Sequence, residues 1–151
     1  MNEIKTIADV ILVLDSIVRD SIRTQSRAGY FAVLYKRMTM AVNEGITRGR
    51  FEDGPRMEAL VIIFAQRYLA AFHAFKKEEE CSSSWQAALT GCSERSLIVL
   101  QHLMLGINTH INLDLAIAAA AVAPGESIHA LKTDFNRINL LIASLVDDVQ
   151  R

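Results

Sequence analysis

Two side chains that could do chemistry together lie four residues apart in the segment QHLMLGINTHINLDL, residues 101–115. Residues at positions i and i+4 of a helix share a face, so His110 and Asp114 can bind one metal ion or hydrogen-bond each other. In a metal site, His110 would give a ring nitrogen and Asp114 an oxygen to one divalent ion such as zinc. In the alternative, Asp114 would fix the tautomer of His110, or would reach a backbone NH or an arginine.

A catalytic zinc site needs at least one further protein ligand and an open position for water. Glu44 and Asp134 are the candidates that could complete the ligand set or act as the general base. Such a site would support metal-assisted hydrolysis of a phosphoester or a related bond. For Glu44 the alternative is an ion pair with Arg48, which follows four residues later.

The same helix carries further polar side chains. Gln101, Asn108 and Asn112 fall on one side at about 100° per residue, and His102 lies between them and His110. Apolar residues occupy every face of this helix, so we expect these polar groups to be buried. They would either form a hydrogen-bond network, with Asp134 and Asn139 of the last helix as partners, or line a pocket for a small molecule. The first alternative is typical of a non-catalytic binding or scaffold domain.

The elements that must hold these residues are helices. Two prolines and seven glycines in 151 residues leave little room for strands and turns. The sequence predicts an all-α, single-domain bundle of five to six helices over residues 1–151, with a polar-lined central helix at about 95–121. The third helix is apolar almost all round from Leu60 to Phe75, so we expect it to be central as well. The last helix has a packing seam of Ile128, Leu131, Phe135, Ile138, Ile142, Leu145 and Val149.

Composition argues against several classes of protein. The 16 Lys+Arg residues against 17 Asp+Glu leave a formal charge of −1 and no basic stripe, so nucleic acid is not an expected partner. The longest apolar run, LAIAAAAVA, is half of the ~20 residues that a membrane span needs. The absence of a basic leader and the two isolated cysteines predict a cytoplasmic protein. The alanines of that run permit close helix approach, within the bundle or across a homodimer.

The segment QHLMLGINTHINLDL, with GYFAVLYKRMTMAVNEGI, GRFEDGPRMEAL and DFNRIN around it, resembles a family of bacterial proteins of unknown function. That family is marked by a Gln-His-Leu…Gly-x-Asn-x-His-Ile-Asn-x-Asp-Leu signature. The resemblance spans nearly the whole chain and implies an all-helical domain with no activity to carry over. The resemblance implies that the hallmark positions of the family are Gln101, His102, Asn108, His110, Asn112 and Asp114 of this chain.

The shorter pattern Gly106-x-x-x-His110-x-x-x-Asp114 is similar to the metal-binding helix of zinc-dependent phospholipase C and single-strand-specific nucleases, which are also all-helical. Those enzymes have an N-terminal tryptophan, additional histidines and a second His-x-x-x-Glu pair. This chain has four histidines, and His129 is followed four residues later by Thr133. The resemblance therefore implies one metal site at most, and not a three-zinc centre.

Overall fold

The computed structural model describes residues 4–94 and 96–149, and the regular structure within these ranges is helical. A 3-10 helix, Gly125–Leu131, leads into the last α-helix. The predicted all-α bundle is confirmed. Its helices are α1 (Ile7–Arg23), α2 (Gly29–Thr47), α3 (Gly54–Lys76), α4 (Ser83–Gly91), α5 (Val99–Val122) and α6 (Lys132–Val149).

Side-chain caps fix where three helices begin. Thr6 and Asp9 form a capping box at the start of α1, and the Asp53 carboxylate accepts from the backbone N–H of Arg56 at the start of α3. Pro55 occupies the first turn of α3, where its missing N–H leaves no bond unmade. Ser82 caps α4 by accepting from the backbone N–H of Trp85. Such caps each contribute about 1 kcal/mol to helix stability.

The third helix is central, as its sequence predicts. It packs against α1, α2, α4 and α5. Its buried side chains occupy about half of the circumference of the helix, because each neighbour covers a different part of that half. They are Met57, Leu60, Val61, Ala65, Tyr68, Leu69, Ala71 and Phe72.

The seam predicted for the last helix is only partly present. Leu131 is buried and Ile138 packs against the core. Ile128 is exposed because its segment forms the 3-10 helix rather than the first turns of α6. The side chains of Ile142, Leu145 and Val149 lie outside the described part of the structure, as does Arg95 at the predicted start of the fifth helix.

The fifth helix changes its winding in the middle. Val99–Thr109 is α-helical, His110–Asp114 forms a π-helical turn, and Leu115–Val122 is α-helical again. A π turn holds one more residue than an α turn and occurs frequently at functional sites. Both His110 and Asp114 therefore lie in the irregular part of α5.

Gly106 lets α5 approach α2 closely. A Cβ at this position would lie 2.5 Å from Cδ2 and 2.7 Å from Cγ of Phe31. Phe31 is itself buried and contacts the rings of Tyr68 and Trp85, so it has little room to move.

Substitution of Gly106 by alanine is therefore expected to destabilise the protein by about 1–3 kcal/mol, since overpacking forces neighbouring side chains to shift. Denaturant unfolding followed by circular dichroism measures this change. Gly54→Ala is the matched control, because a Cβ there would meet only Ile46 at an ordinary 3.6 Å. Equal stability of the two variants would contradict the close contact described here.

Two of the described helices, Gly54–Lys76 and Val99–Val122, are long and apolar enough to cross a membrane by length and composition alone. The core helix of a soluble bundle passes the same test, so this property by itself is weak evidence for a span.

Candidate functional site

Asp114 is the centre of a buried polar cluster that joins three helices. Its side chain is 0% exposed and accepts three hydrogen bonds. The Nδ1 of His110 lies 2.9 Å from Oδ2, Trp85 Nε1 of α4 lies 2.8 Å from the same oxygen, and Arg67 Nε of α3 lies 3.1 Å from Oδ1. Both carboxylate oxygens are thus satisfied, and the charge of Asp114 is paired with Arg67.

The electrostatics of this cluster fix the state of the histidine. Burial raises the pKa of Asp114, but the hydrogen bonds from His110, Trp85 and Arg67 outweigh burial and hold the pKa below its ordinary value of 3.8. An ionised carboxylate only accepts, so Nδ1 of His110 carries the proton and donates it. Burial lowers the pKa of His110 below 6.5, with Asp114 opposing the shift. His110 is therefore neutral at pH 7, with a lone pair on Nε2.

Aromatic rings surround the imidazole of His110. Phe64 stacks on it with centroids 3.6 Å apart, and Tyr35 meets it edge to face at 4.7 Å. Phe31, Tyr68 and Trp85 lie within 6.0 Å of it. These rings hold the imidazole in one orientation and exclude water from it.

A cavity of about 300 Å³ lies beside His110, between α2, α5 and α6, with α3 as its floor. We call it the His110 cavity. Its lining is apolar except for four residues, and among the described residues that line it none is charged. The polar ones are Tyr35, Thr39, His110 and Asn139, and the apolar ones include Leu34, Met38, Phe64, Ile107, Leu115 and Ile138.

Two polar atoms of the cavity lining have no hydrogen-bond partner within the described part of the chain. They are Nε2 of His110 and the hydroxyl oxygen of Tyr35, and both are buried. The hydroxyl of Thr39, in contrast, donates to the Tyr35 carbonyl at 2.9 Å. A buried polar atom without a partner costs about 1–3 kcal/mol, so a pair of such atoms at one cavity calls for an explanation.

The three amides of α5 do not take part in this cluster. Gln101, Asn108 and Asn112 are all exposed, so the prediction that they face the core is wrong. Gln101 accepts from the backbone N–H of Ile98 at the start of α5, and Asn112 donates to Asn108 at 2.9 Å. They lie on the solvent side because the core side of α5 is formed by His102, Gly106 and Thr109. A binding role for them stays a prediction.

Two other residues predicted for this polar network, His102 and Asn139, are separated from the three amides of α5. His102 is buried beside the ring of Tyr30, and neither ring nitrogen has a hydrogen-bond partner in residues 4–94 and 96–149. Asn139 is exposed and lines the His110 cavity, so it is not joined to the amides of α5 in a network.

The two candidate bases lie elsewhere. Asp134 is buried, but it accepts from the backbone N–H groups of Glu52 and Asp53 at 2.7 and 3.1 Å and from Arg137 at 3.0 Å. Its role is to tie α6 to the turn before α3. Glu44 is exposed and pairs with Arg48 at 2.6 Å, which is the alternative that the sequence offered. Neither residue lines the His110 cavity.

His110 and Asp114 therefore form a hydrogen-bonded pair rather than two arms of a complete metal site. Across residues 4–94 and 96–149, no group of three or more His, Cys, Asp or Glu side chains lies together as a metal centre would require. The third ligand that the zinc interpretation needs is missing from this part of the chain.

A larger groove of about 880 Å³ lies at the other end of the bundle, near the α1–α2 turn and the end of α3. It is open to solvent and lined by exposed charged residues such as Lys76, Glu78 and Glu79. None of the residues predicted to bind or react lines it. Two of the residues predicted to bind or react, His110 and Asn139, line the smaller cavity.

Sequence reasoning missed Arg67, Trp85 and Tyr35 as members of this site. Arg67 gave a usable signal, because it is the only charged residue between Leu60 and Phe75 on an otherwise apolar helix. A charge in that position needs a partner. Trp85 and Tyr35 gave no such signal in the sequence, because both look like ordinary core residues.

The fold and the site define a class: a helical bundle with a buried, carboxylate-oriented histidine beside an apolar cavity. Residues 7–151 match the family model described as "Family of unknown function (DUF5995)", and the chain belongs to that family. Neither the curated proteins nor the solved structures gave a match. The resemblance to zinc-dependent phospholipases and nucleases stays a prediction from the short Gly-His-Asp pattern.

Proposed function

We propose that this protein binds a small, neutral, largely apolar molecule in the His110 cavity, and that the molecule donates a hydrogen bond to Nε2 of His110. The observation that carries the proposal is the unpartnered Nε2 on a side chain that lines an apolar cavity. A ligand hydroxyl or N–H would supply the missing donor and remove the cost of leaving Nε2 unpaired.

The size and the charge of the cavity limit the ligand. A volume of 300 Å³ corresponds to roughly ten water molecules at ~30 Å³ each, which suits a compact molecule with one ring. With no charged side chain among the described lining residues, a charged ligand would be buried without a counter-ion at high cost. This lining favours a neutral ligand over a phosphoester.

Binding requires a small movement of the site. Nε2 of His110 and the Tyr35 hydroxyl expose almost no surface, because the surrounding rings cover them. The ligand therefore has to displace a ring such as that of Phe64 to reach Nε2. Side-chain rearrangement of this kind is common when proteins bind their partners.

Phenol and toluene test the hydrogen bond, because they have nearly the same shape and only phenol donates. Dissociation constants of both are measured by NMR titration against the wild type and against His110→Phe. The preference for phenol relative to toluene is expected to fall about tenfold in the variant, as one buried hydrogen bond is lost. Benzoate is expected to bind more weakly than phenol, for want of a cation in the lining.

A matched pair of α2 variants locates the binding. Met38 lines the cavity, whereas Met40 is exposed outside it. Met38→Trp is expected to abolish binding of both probes, and Met40→Trp is expected to leave it intact. Binding that survives Met38→Trp, or a phenol preference that survives His110→Phe, would contradict the proposal.

A second candidate function is a non-catalytic scaffold, and the three-helix junction at Asp114 favours it. In that case the polar cluster only holds α3, α4 and α5 together. The two candidates differ in the probe experiment, because a purely structural cluster gives no preference for phenol over toluene that depends on His110.

A further inference from the structure

The His110 cavity contains a proton acceptor, His110, and a hydrogen-bond donor, Tyr35. These two groups are not hydrogen-bonded to each other. The hydrogen bond to Asp114 fixes the tautomer of His110 in which Nδ1 carries the proton and Nε2 has a free lone pair. The phenol group of Tyr35 lies against the same imidazole, and its hydroxyl has no hydrogen-bond partner among the residues that the structure describes. Burial, with a smaller contribution from Asp114, raises the pKa of Tyr35 well above 10.0, so its hydroxyl keeps its proton and donates.

The lining also restricts the reaction type. Among the described residues that line the cavity there is no serine, cysteine or carboxylate to act as a nucleophile. The one remaining hydroxyl, that of Thr39, is bonded to a backbone carbonyl. An acceptor and a donor without a serine, cysteine or carboxylate beside them suit the transfer of a proton rather than the covalent catalysis that those nucleophiles perform.

We propose that the His110 cavity catalyses proton transfer at a carbon next to a carbonyl group, with His110 as the base and Tyr35 as the donor to the carbonyl oxygen. This inference rests on the proposed function, since the carbonyl compound must first bind in the cavity as a neutral, largely apolar ligand. In that compound an enolisable C–H takes the place of the hydroxyl or N–H that would face Nε2 of His110. The substrates are neutral ketones or aldehydes with an enolisable C–H. Asp114 is a positioning residue, because it acts only through His110.

The step is balanced without a cofactor. Nε2 of His110 takes the proton, the C–H electron pair forms a C=C bond, and the C=O π pair moves to oxygen. Tyr35 stabilises that oxygen by its hydrogen bond, and the ionised Asp114 stabilises the imidazolium that forms. Return of the proton to the same carbon, or to another carbon of the conjugated system, regenerates neutral His110.

Cyclohexanone in D2O provides the test, because each cycle of enolisation can replace an α-hydrogen by deuterium from solvent. Exchange is followed by NMR at fixed pD with wild type, His110→Gln and Tyr35→Phe. His110→Gln is expected to lose at least about 100-fold of the acceleration over buffer. Tyr35→Phe is expected to lose about 100-fold, as for removal of one donor to an oxyanion.

Two controls separate catalysis from other effects. His129→Gln removes an exposed imidazole and is expected to leave exchange unchanged. Tyr35→Phe removes a hydroxyl that makes no hydrogen bond to any described residue, so the thermal stability of this variant is expected to match or exceed that of the wild type while exchange falls. A purely structural Tyr35 would not produce that combination.

The outcomes are distinct. If cyclohexanone shifts the NMR signals of the wild type but its exchange is not accelerated, or if His110→Gln exchanges as fast as wild type, the catalytic inference is overturned and the binding function stands. If neither cyclohexanone nor phenol binds, the proposed function fails and the inference fails with it.

Discussion

Replacing Asp114 with alanine is expected to lower the free energy of unfolding by about 3–5 kcal/mol, the usual cost of removing one member of a buried charge pair. The change leaves the Trp85 Nε1–H and the His110 Nδ1–H buried without acceptors. Arg67 loses its partner too, although its side chain is 39% exposed and can turn to water. Three helices lose their common contact at once.

The loss is measured by guanidinium unfolding, with the fluorescence of Trp85 as one probe and circular dichroism as the other. Trp85 is the only tryptophan in the chain, so its signal reports this junction directly. Glu44→Ala is the control. It removes an exposed carboxylate paired with Arg48 and is expected to cost no more than about 0.5 kcal/mol. Asp114→Ala behaving like this control would refute the central role of the cluster.

Replacing Asp134 with asparagine is expected to cost about 3 kcal/mol, because both carboxylate oxygens accept from donors and the new NH2 group must face one of them. Oδ1 accepts from Glu52 N–H and Arg137, and Oδ2 accepts from Asp53 N–H. Arg137→Ala is expected to cost less, because the two backbone donors keep their acceptor. Equal losses for the two variants would show that the backbone bonds contribute little.

The effect of Asp134 depends on pH in a defined direction. Burial raises its pKa, but the bonds from Glu52, Asp53 and Arg137 outweigh burial and lower the pKa below 3.8. A carboxylate with a lowered pKa in the folded state stabilises the fold fully above pH 3.8, and this contribution is lost as the pH falls through the lowered value. The stability difference between wild type and Asp134→Asn should therefore be constant near pH 7 and shrink below pH 3.8. A difference that grows on acidification would contradict this assignment.

Much of the fold could be read from the sequence, since the scarcity of proline and glycine and the almost continuous apolar surface of α3 are local signals. The His110–Asp114 contact was accessible too, because residues four apart on a helix meet regardless of the rest of the fold. The orientation of Gln101, Asn108 and Asn112 was not. Their spacing shows that they share a side of α5, but α5 has apolar residues on every side, so periodicity could not tell which side faces the core.

Hydrogen-bond partners that are distant in the sequence could not be predicted either. Asp134 accepts hydrogen bonds from backbone N–H groups about eighty residues earlier in the chain. A backbone donor cannot be recognised from the type of the residue that carries it. The His110 cavity depends on how α2, α5 and α6 are spaced over α3, which is a property of packing. Of the three site residues that could not be predicted, only Arg67 gave a signal in the sequence, because a charge on an otherwise apolar helix needs a partner.

The π turn has a consequence for comparing family members. The extra residue in His110–Asp114 rotates everything after it by about 100° relative to an unbroken α-helix. This rotation brings Ala118 and Ala119 towards the side of the helix on which His102 and Gly106 are buried. A homologue with a one-residue gap at this point of an alignment would lack this rotation of the helix. We expect such a homologue to lack the Asp114 cluster and the His110 cavity even if its histidine and aspartate are retained.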